Sequence, residues 1–321
     1  MEKACKGMSA KRIEVLVSST CNNNCYFCCD RVARSEYLRF NSYFLARYGA
    51  VFLDRPNFLK QVENATRVSD ILFTGGEPTL NDNLTDFIAV AKERGYRKIA
   101  LQTNGRRLCY IDYCFRLLEN GLNHVHVALH GSTRKYHDHI TRSPGSFFQV
   151  VRGLENMKFL KKNFDFKMSV NFVINRLNIR NIGPYIDFVL SKGFADEIVF
   201  KTLMYCGNVK AYQHNLLVSL LEVAKEFKAA VRLCEGSNRM VTDRIRILNM
   251  PLCLLNEYEH YAEKNKGIPS YLSGNSVKPM KRCSDFLKRK DCKYCCFDLE
   301  CCGIDRGYIK MNGWDEFVPA G

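Results

Sequence analysis

The chain has 321 residues, with 48 Lys and Arg against 33 Asp and Glu for a formal charge of +15, 46% hydrophobic residues and 16 cysteines. That length can bury a substantial core, the balance of apolar and charged residues excludes a disordered chain, and with no apolar run of about 18 residues a spanning helix is excluded as well. The N-terminal text MEKACKGMSAKRIEV lacks the apolar stretch of a signal peptide, so a cytoplasmic protein is expected, in which this many thiols read as metal ligands or reactive groups rather than disulfides.

Taken in chain order, an N-terminal extension (1–12) leads into six β-branched, apolar runs: IEVLVSS (13–19), DILFT (70–74), KIALQT (98–103), HVHVALH (124–130), KMSVNFVI (167–174) and EIVFKTLM (197–204). Amphipathic text separates most of them, which predicts a parallel α/β sheet with covering helices. The interval from about residue 30 to 69 is long and aromatic, with a second candidate helix near 56–66; it reads as extra packing, or as a lid. HITRSPGSFFQVVRGL (139–154) predicts a Pro-Gly turn opening a helix that packs Phe147, Val151 and Leu154 on one core face. Beyond residue 205 the rhythm weakens to a helix over 215–230 and short strands near 231–234 and 243–248. From Cys283 onward the cysteine density predicts a small metal-stapled module, giving a core over 13–235 and a cysteine-rich region over 236–321.

Directly after the first run comes STCNNNCYFCCD, which puts Cys21, Cys25 and Cys28 on one loop. Three thiolates there can hold three irons of a [4Fe–4S] cluster and leave the fourth iron open to a ligand. Spacing alone leaves a zinc site closed by Cys29 open as well. The second run ends in FTGGEPTL (73–80), where Gly75 and Gly76 let the backbone approach a ligand and Glu77 can accept hydrogen bonds from a charged amine. Both features fall at the C-terminal ends of consecutive strands, where barrel active sites lie.

Together these residues resemble the radical S-adenosylmethionine (SAM) superfamily, whose signature is CxxxCxφC, here with Phe27 as the aromatic φ, followed by GGEP. The resemblance spans about residues 13–205, including the QTNG, VALHG and VNFVINRLN text. It implies a partial (β/α)6 TIM-like barrel, SAM chelating the open iron, and an electron from a donor such as flavodoxin or ferredoxin that cleaves SAM to a 5′-deoxyadenosyl radical. It further implies that Gly75, Gly76 and Glu77 meet the methionine amine, that Phe27 lies near adenine, and that Thr103, Asn104 and Asn175 sit where ribose or carboxylate contacts occur. A serine is frequent in the family where Ala128 stands; His130 either takes over that ribose contact or is a polar strand-end residue.

The C-terminal text carries Cys292, Cys295 and Cys301 in C-x2-C-x5-C, with Cys253 in PLCLL upstream and Cys283, Cys296 and Cys302 nearby. It resembles twitch or SPASM auxiliary-cluster modules, which implies one auxiliary [4Fe–4S] cluster on Cys253, Cys292, Cys295 and Cys301; zinc is the alternative. Cys206 follows the sixth run and is the candidate catalytic thiol, able to return a hydrogen atom to a substrate radical, or else a buried small hydrophobe. Cys5, Cys109, Cys114 and Cys234 are expected to be structural.

The function expected from this set is hydrogen abstraction from a substrate peptide, leading to epimerisation or crosslinking. The charge suits an acidic leader, although residues 1–12 leave no room for a leader-binding domain, so recognition would fall to a separate protein or the tail. The alternative substrate is a sugar, nucleotide or other small metabolite. A zinc-stapled nucleic-acid-binding protein would explain charge and cysteines but leave GGEP and the strand rhythm without a role. No membrane partner is expected.

Overall fold

Each of the six apolar runs forms a strand: β1 (Arg12–Ser18), β2 (Asp70–Gly75), β3 (Lys98–Thr103), β4 (His124–Ala128), β5 (Lys167–Val173) and β6 (Glu197–Lys201). The computed structural model describes residues 12–18, 20–29, 58, 69–236, 243–263, 270–273, 276–279 and 286–321. The interval 30–69, apart from Phe58 and Ser69, therefore lies outside the described residues, as do Cys5 and Cys283. Consecutive strands pair in parallel, each beside its chain neighbour. Between them run α1 (Leu84–Glu93), α2 (Ile111–Glu119), α3 (Arg134–Thr141), α4 (Ser146–Leu160) and α5 (Ile182–Lys192), with α6 (Asn208–Leu216) and α7 (Leu220–Gly236) after β6.

Alternation along the strands divides the sheet into two faces. Ile13, Val15, Ile71, Phe73, Leu101, Val125, Val127, Val170, Phe172 and Phe200 are buried in one core, where Phe172 meets Tyr185 of α5 and Phe200 meets Phe227 of α7. Each such side chain contributes about 1.5–3 kcal/mol by burial. Alternate positions include Glu14, Thr74, His126 and Lys201, which are polar and partly covered, and Gln102, which is exposed. Sequential strand order with helices against one face is singly wound, the barrel arrangement rather than the doubly wound one. Helix α4 starts as expected: Gly145 (φ +83) turns the chain, and Asp138 of α3 accepts from Gly145 N (2.8 Å) and Phe147 N (2.7 Å). Its buried stripe is Phe147, Val150, Leu154 and Met157, with Val151 beside it.

The later half differs from expectation in two ways. Residues 231–234 are helical, because Val231 and Cys234 continue the buried stripe of Phe227 and Ala230 and extend α7 to Gly236. The run near 243–248 does form a strand, β7 (Ile245–Leu248), and it pairs in parallel with β6. At the other edge β8 (Ser270–Ser273) pairs in parallel with β1, and β9 (Ser276–Pro279) pairs antiparallel with β8. The order is β7-β6-β5-β4-β3-β2-β1-β8-β9, and no pairing among the described residues joins β7 to β9, so the sheet is open. Residues beyond 235 thus continue the same sheet.

The cysteine-rich segment adds an antiparallel pair, β10 (Phe286–Leu287) and β11 (Ile304–Asp305), followed by α8 (Arg306–Asn312). It is fixed to the barrel through Tyr308, which is buried, stands edge-on to Tyr205 (5.5 Å) and accepts from Leu220 N (2.9 Å). No helix among the described residues is long and apolar enough to cross a membrane.

Candidate active site

The loop carrying Cys21, Cys25 and Cys28 leaves the C-terminal end of β1, and all three thiols are half-buried. The chain around it holds its backbone at several points. Asn24 N and Tyr26 N donate to Thr141 O (2.9 Å) and Ile140 O (3.1 Å) at the end of α3. Arg106 donates to Asn22 O and to Asn23 Oδ1 (3.1 Å). Asn104 Nδ2 donates to Asn22 Oδ1 (2.6 Å) and points at Cys21 Sγ (3.8 Å). The Arg142 guanidinium lies over Tyr26 and Tyr212, 5.0 Å and 5.4 Å from their ring centres.

A clamp from the β6–α6 connection completes the loop. Gly207 adopts φ +57 and packs so closely that a Cβ there would collide with the carbonyl oxygens of Cys28 and Cys29. Asn208 N donates to Cys28 O (2.9 Å) and Asn208 Nδ2 to Cys25 O (2.9 Å), while its Oδ1 is buried with no hydrogen-bond partner. Sequence reading dwelt on Cys206 and passed over these next two residues; the signal was the Cys-Gly-Asn run in the connection that follows β6. Cys206 itself is buried (8% exposed) beside the clamp.

The GGE segment lies against the same loop. Gly76 N donates to Ser18 O (2.8 Å) and Glu77 N to Thr20 O (2.7 Å), and at Gly75 (φ +134) a Cβ would strike Ser18 O. Glu77 is 1% exposed and its carboxylate is engaged within the protein. Oε1 accepts from Thr79 N (3.1 Å), Thr79 Oγ1 (2.6 Å) and Thr103 Oγ1 (2.6 Å), and Oε2 from Asn104 N (2.6 Å). Burial pushes its pKa up, and the hydrogen bonds from Thr103, Thr79 and Asn104 oppose that shift. Thr103, Asn104 and Glu77 are thus one network that ties β2 and β3 to the cysteine loop.

Phe27 lies edge-on to His130, with centroids 4.7 Å apart. His130 is buried, stacks on His137 (5.8 Å), and accepts from Val173 N at Nδ1 (3.3 Å). Burial, then His137 and Lys201, holds its pKa well below the ordinary imidazole range, so it is neutral. Asn175 is fully buried, donating to Val173 O (3.0 Å) and accepting from Leu177 N (3.0 Å), and so turns the chain after β5.

In the tail, Cys253, Cys292, Cys295 and Cys301 line one pocket of about 400 Å3, counting its open mouth. Cys253 stands on a short turn (Leu252–Leu254) and Cys292 on another (Lys290–Tyr294). Gly303 (φ +87) donates to Cys301 Sγ (3.3 Å) and packs on Leu287 O. Burial, together with Cys301, Cys295 and Cys292, pushes the Cys253 thiol up to about 12. Cys296 and Cys302 are exposed, and Cys114 and Cys234 are buried in the core. Among the described residues no group of three or more His, Cys, Asp or Glu side chains stands as placed to hold a metal ion.

The family model of the Radical SAM superfamily matches residues 15–188, just over half of the chain, from the cysteine loop past Asn175. The chain belongs to the radical SAM superfamily. Curated relatives of this radical SAM protein include the Fe-coproporphyrin III synthase of Methanosarcina barkeri, 31% identical over 188 residues that make up 58% of this chain and 42% of the relative. Another is the probable GTP 3′,8-cyclase of Sulfurisphaera tokodaii, 27% identical over 224 residues, 68% of this chain and 65% of that one. The chain spans about half the length of the curated relatives it matches. Among solved structures, native anSMEcpe with bound AdoMet matches with a TM-score of 0.66 at 17% identity, over 92% of this chain and 90% of that one. Native anSMEcpe with bound AdoMet and Kp18Cys peptide matches with a TM-score of 0.63 at 16% identity, over 92% and 90%. That likeness is one of fold, and it establishes the radical SAM partial barrel.

The donor set suits the superfamily's cluster. Three half-buried thiols share one externally braced loop, while Cys29, the fourth ligand a zinc site would need, directs its thiol at Phe27 O (4.0 Å).

Proposed function

We propose that this chain binds a [4Fe–4S] cluster through Cys21, Cys25 and Cys28 and SAM beside it, and abstracts a hydrogen atom from a substrate held over the strand ends. The observation that carries the reading is the bracing of the cysteine loop by three separate connections, after β3, β4 and β6. Bound there, the cluster supplies the electron, drawn from a donor such as flavodoxin or ferredoxin, that cleaves SAM reductively. The chain's part is geometric. Gly75 and Gly76 keep backbone close to the loop, the buried Glu77 network fixes their position, Phe27 offers an apolar face for adenine, and Thr103, Asn104 and Asn175 shape the polar rim. Such fixed positioning keeps a reactive intermediate away from water and side reactions.

The substrate read first is a peptide, epimerised or crosslinked. Its support is the extent of the fold likeness to anSMEcpe, which covers 92% of this chain and so reaches into the tail. The tail thiols would hold one auxiliary [4Fe–4S] cluster in a twitch- or SPASM-like manner. Cys206, at the barrel mouth beside the clamp, would return the hydrogen atom in an epimerisation. A small metabolite is the second reading, favoured by curated relatives named for GTP and coproporphyrin. Incubating anaerobically reconstituted, reduced protein with SAM and deuterated candidate peptides or metabolites tests both. Deuterium should appear in 5′-deoxyadenosine with one class, and its absence with peptides alone removes the first reading. An epimerised product formed equally by wild type and Cys206→Ala would remove the donor role.

A further inference from the structure

The connection from α3 to α4 carries an open groove of about 390 Å3, with Arg134, Lys135, His139, Pro144 and Phe148 along it. All five residues are exposed, Phe148 by 61% of its surface. Arg134 and Lys135 open α3, whose first turn contains no acidic residue, and among the described residues no ion pair holds either cation. The carboxylate that lines the groove, Asp138, is engaged by the turn, accepting from Gly145 N (2.8 Å), Ser146 Oγ (2.9 Å) and Phe147 N (2.7 Å). Cations in the first turn of a helix oppose its dipole, at about 0.3–1 kcal/mol each. A partner of negative charge would offset that cost, and the exposed ring of Phe148 offers it an apolar contact.

The groove borders the cysteine loop. His139 lines it and also meets the ring of Tyr26, with centroids 5.6 Å apart. The next two residues of α3, Ile140 and Thr141, accept from Tyr26 N and Asn24 N through their carbonyls. Arg142 follows, exposed, with its guanidinium over the Tyr26 ring. Tyr26 is the neighbour of Cys25 in the chain. A single side chain, His139, therefore stands between the groove and the loop.

We infer that this groove docks the protein that supplies the electron, a small one-electron carrier with an acidic face around its redox centre, and that His139 and Tyr26 lie between that centre and the cysteine loop. The inference rests on the proposed cluster and places its electron donor on this chain. In the docked pair one electron leaves the reduced carrier, which is oxidised, and enters the oxidised cluster, which is reduced; no bond forms or breaks. Association by complementary charge over a small area is fast and short-lived, as suits a carrier that must be exchanged at every turnover. The groove belongs to the covering helices rather than to the strand ends proposed for the substrate.

Stopped-flow reduction of the reconstituted full chain by a reduced flavodoxin or a reduced [2Fe–2S] ferredoxin, each of net negative charge, tests it against reduction by dithionite, which needs no docking. Wild type should accept electrons from at least one carrier, and more slowly as salt rises from about 0.05 to 0.3 M. Arg134→Glu with Lys135→Glu should slow that carrier about tenfold or more and flatten its salt dependence, with dithionite acting as on wild type. Acidic residues suit the first turn of α3, so this variant should keep its fold. Phe148→Ser should give a several-fold loss, and the same charge change at the exposed Lys192 of α5 and Lys225 of α7, Lys192→Glu with Lys225→Glu, should give none. Transfer from neither carrier to wild type, an unchanged carrier rate in the Arg134 and Lys135 variant, or an equal loss in the control overturns the inference. An unchanged rate together with lost binding of a poly-glutamate peptide would give the groove to an acidic peptide instead. Calorimetric binding of the oxidised carrier to the same variants reads docking without the cluster, so docking to a chain that gains no reducible cluster sinks only the proposed function.

Discussion

Cys21, Cys25 and Cys28 stand on a loop braced mainly from elsewhere in the barrel, whereas Cys253, Cys292, Cys295 and Cys301 line a pocket walled largely by the turns that carry them. The first arrangement leaves thiols at the open end of a rigid sheet, the setting for a cluster that must expose one iron. The second puts thiols on several sides of one pocket, where the proposed auxiliary cluster would be held. The barrel loop is therefore expected to depend on distant residues, and the tail on its own cysteines.

Replacing Cys21, Cys25 and Cys28 with alanine breaks the comparison most severely. 5′-Deoxyadenosine should fall below detection, and iron should drop by about half if the tail holds a second four-iron cluster; loss of all iron would show the tail to be no site of its own. Cys253→Ala should instead remove the tail's share of iron and leave the loop's, measured by iron and sulfide analysis.

Gly207→Ala probes the loop's dependence on the clamp. A residue with a side chain at φ +57 and ψ −132 costs about 1–3 kcal/mol before any collision with the Cys28 and Cys29 carbonyls. Gly313 adopts φ +72 with open space around it, so Gly313→Ala should cost only the conformational part. Denaturant titration should find the Gly207 variant the less stable of the two and poorer in loop iron. Equal stability would mean that the clamp does not brace the loop.

The barrel was legible because strand alternation and the two loop motifs are local signals. KIALQT and EIVFKTLM read as strands from their own residues, the latter ending earlier, at Lys201, and the cysteine spacing sits within eight positions. What was not legible depended on residues far apart in the chain. Residues 231–234 read as a strand by composition, but the stripe begun at Phe227 keeps them helical. Strands β7 and β8 join opposite edges of a sheet whose order no local pattern encodes. Glu77 read as a ligand-facing carboxylate, and only the fold brings Thr79, Thr103 and Asn104 to enclose it. The clamp by Asn208 spans 183 positions.

The last effect concerns pH. His137 is fully buried with its pKa lowered by burial to about 4, and His126 is lowered likewise to about 3, both from 6.5. The folded state keeps these imidazoles neutral while the unfolded chain protonates them, so their contribution to stability is present above pH 6.5 and is lost as pH falls below it. The loss for His137 should be about 1.4 kcal/mol per pH unit between 6.5 and about 4, read from denaturation midpoints. A His137→Gln variant should lose less stability on acidification, and an unchanged slope would remove His137 from the cause.

The central claim, that the loop of Cys21, Cys25 and Cys28 carries the SAM-cleaving cluster, is tested most directly by anaerobic reconstitution followed by reduction in the presence of SAM, with 5′-deoxyadenosine quantified in wild type and in Cys25→Ala. Formation by wild type and none by the variant is the predicted result. Equal formation by both, or none by a wild type that has taken up iron and sulfide, would contradict it.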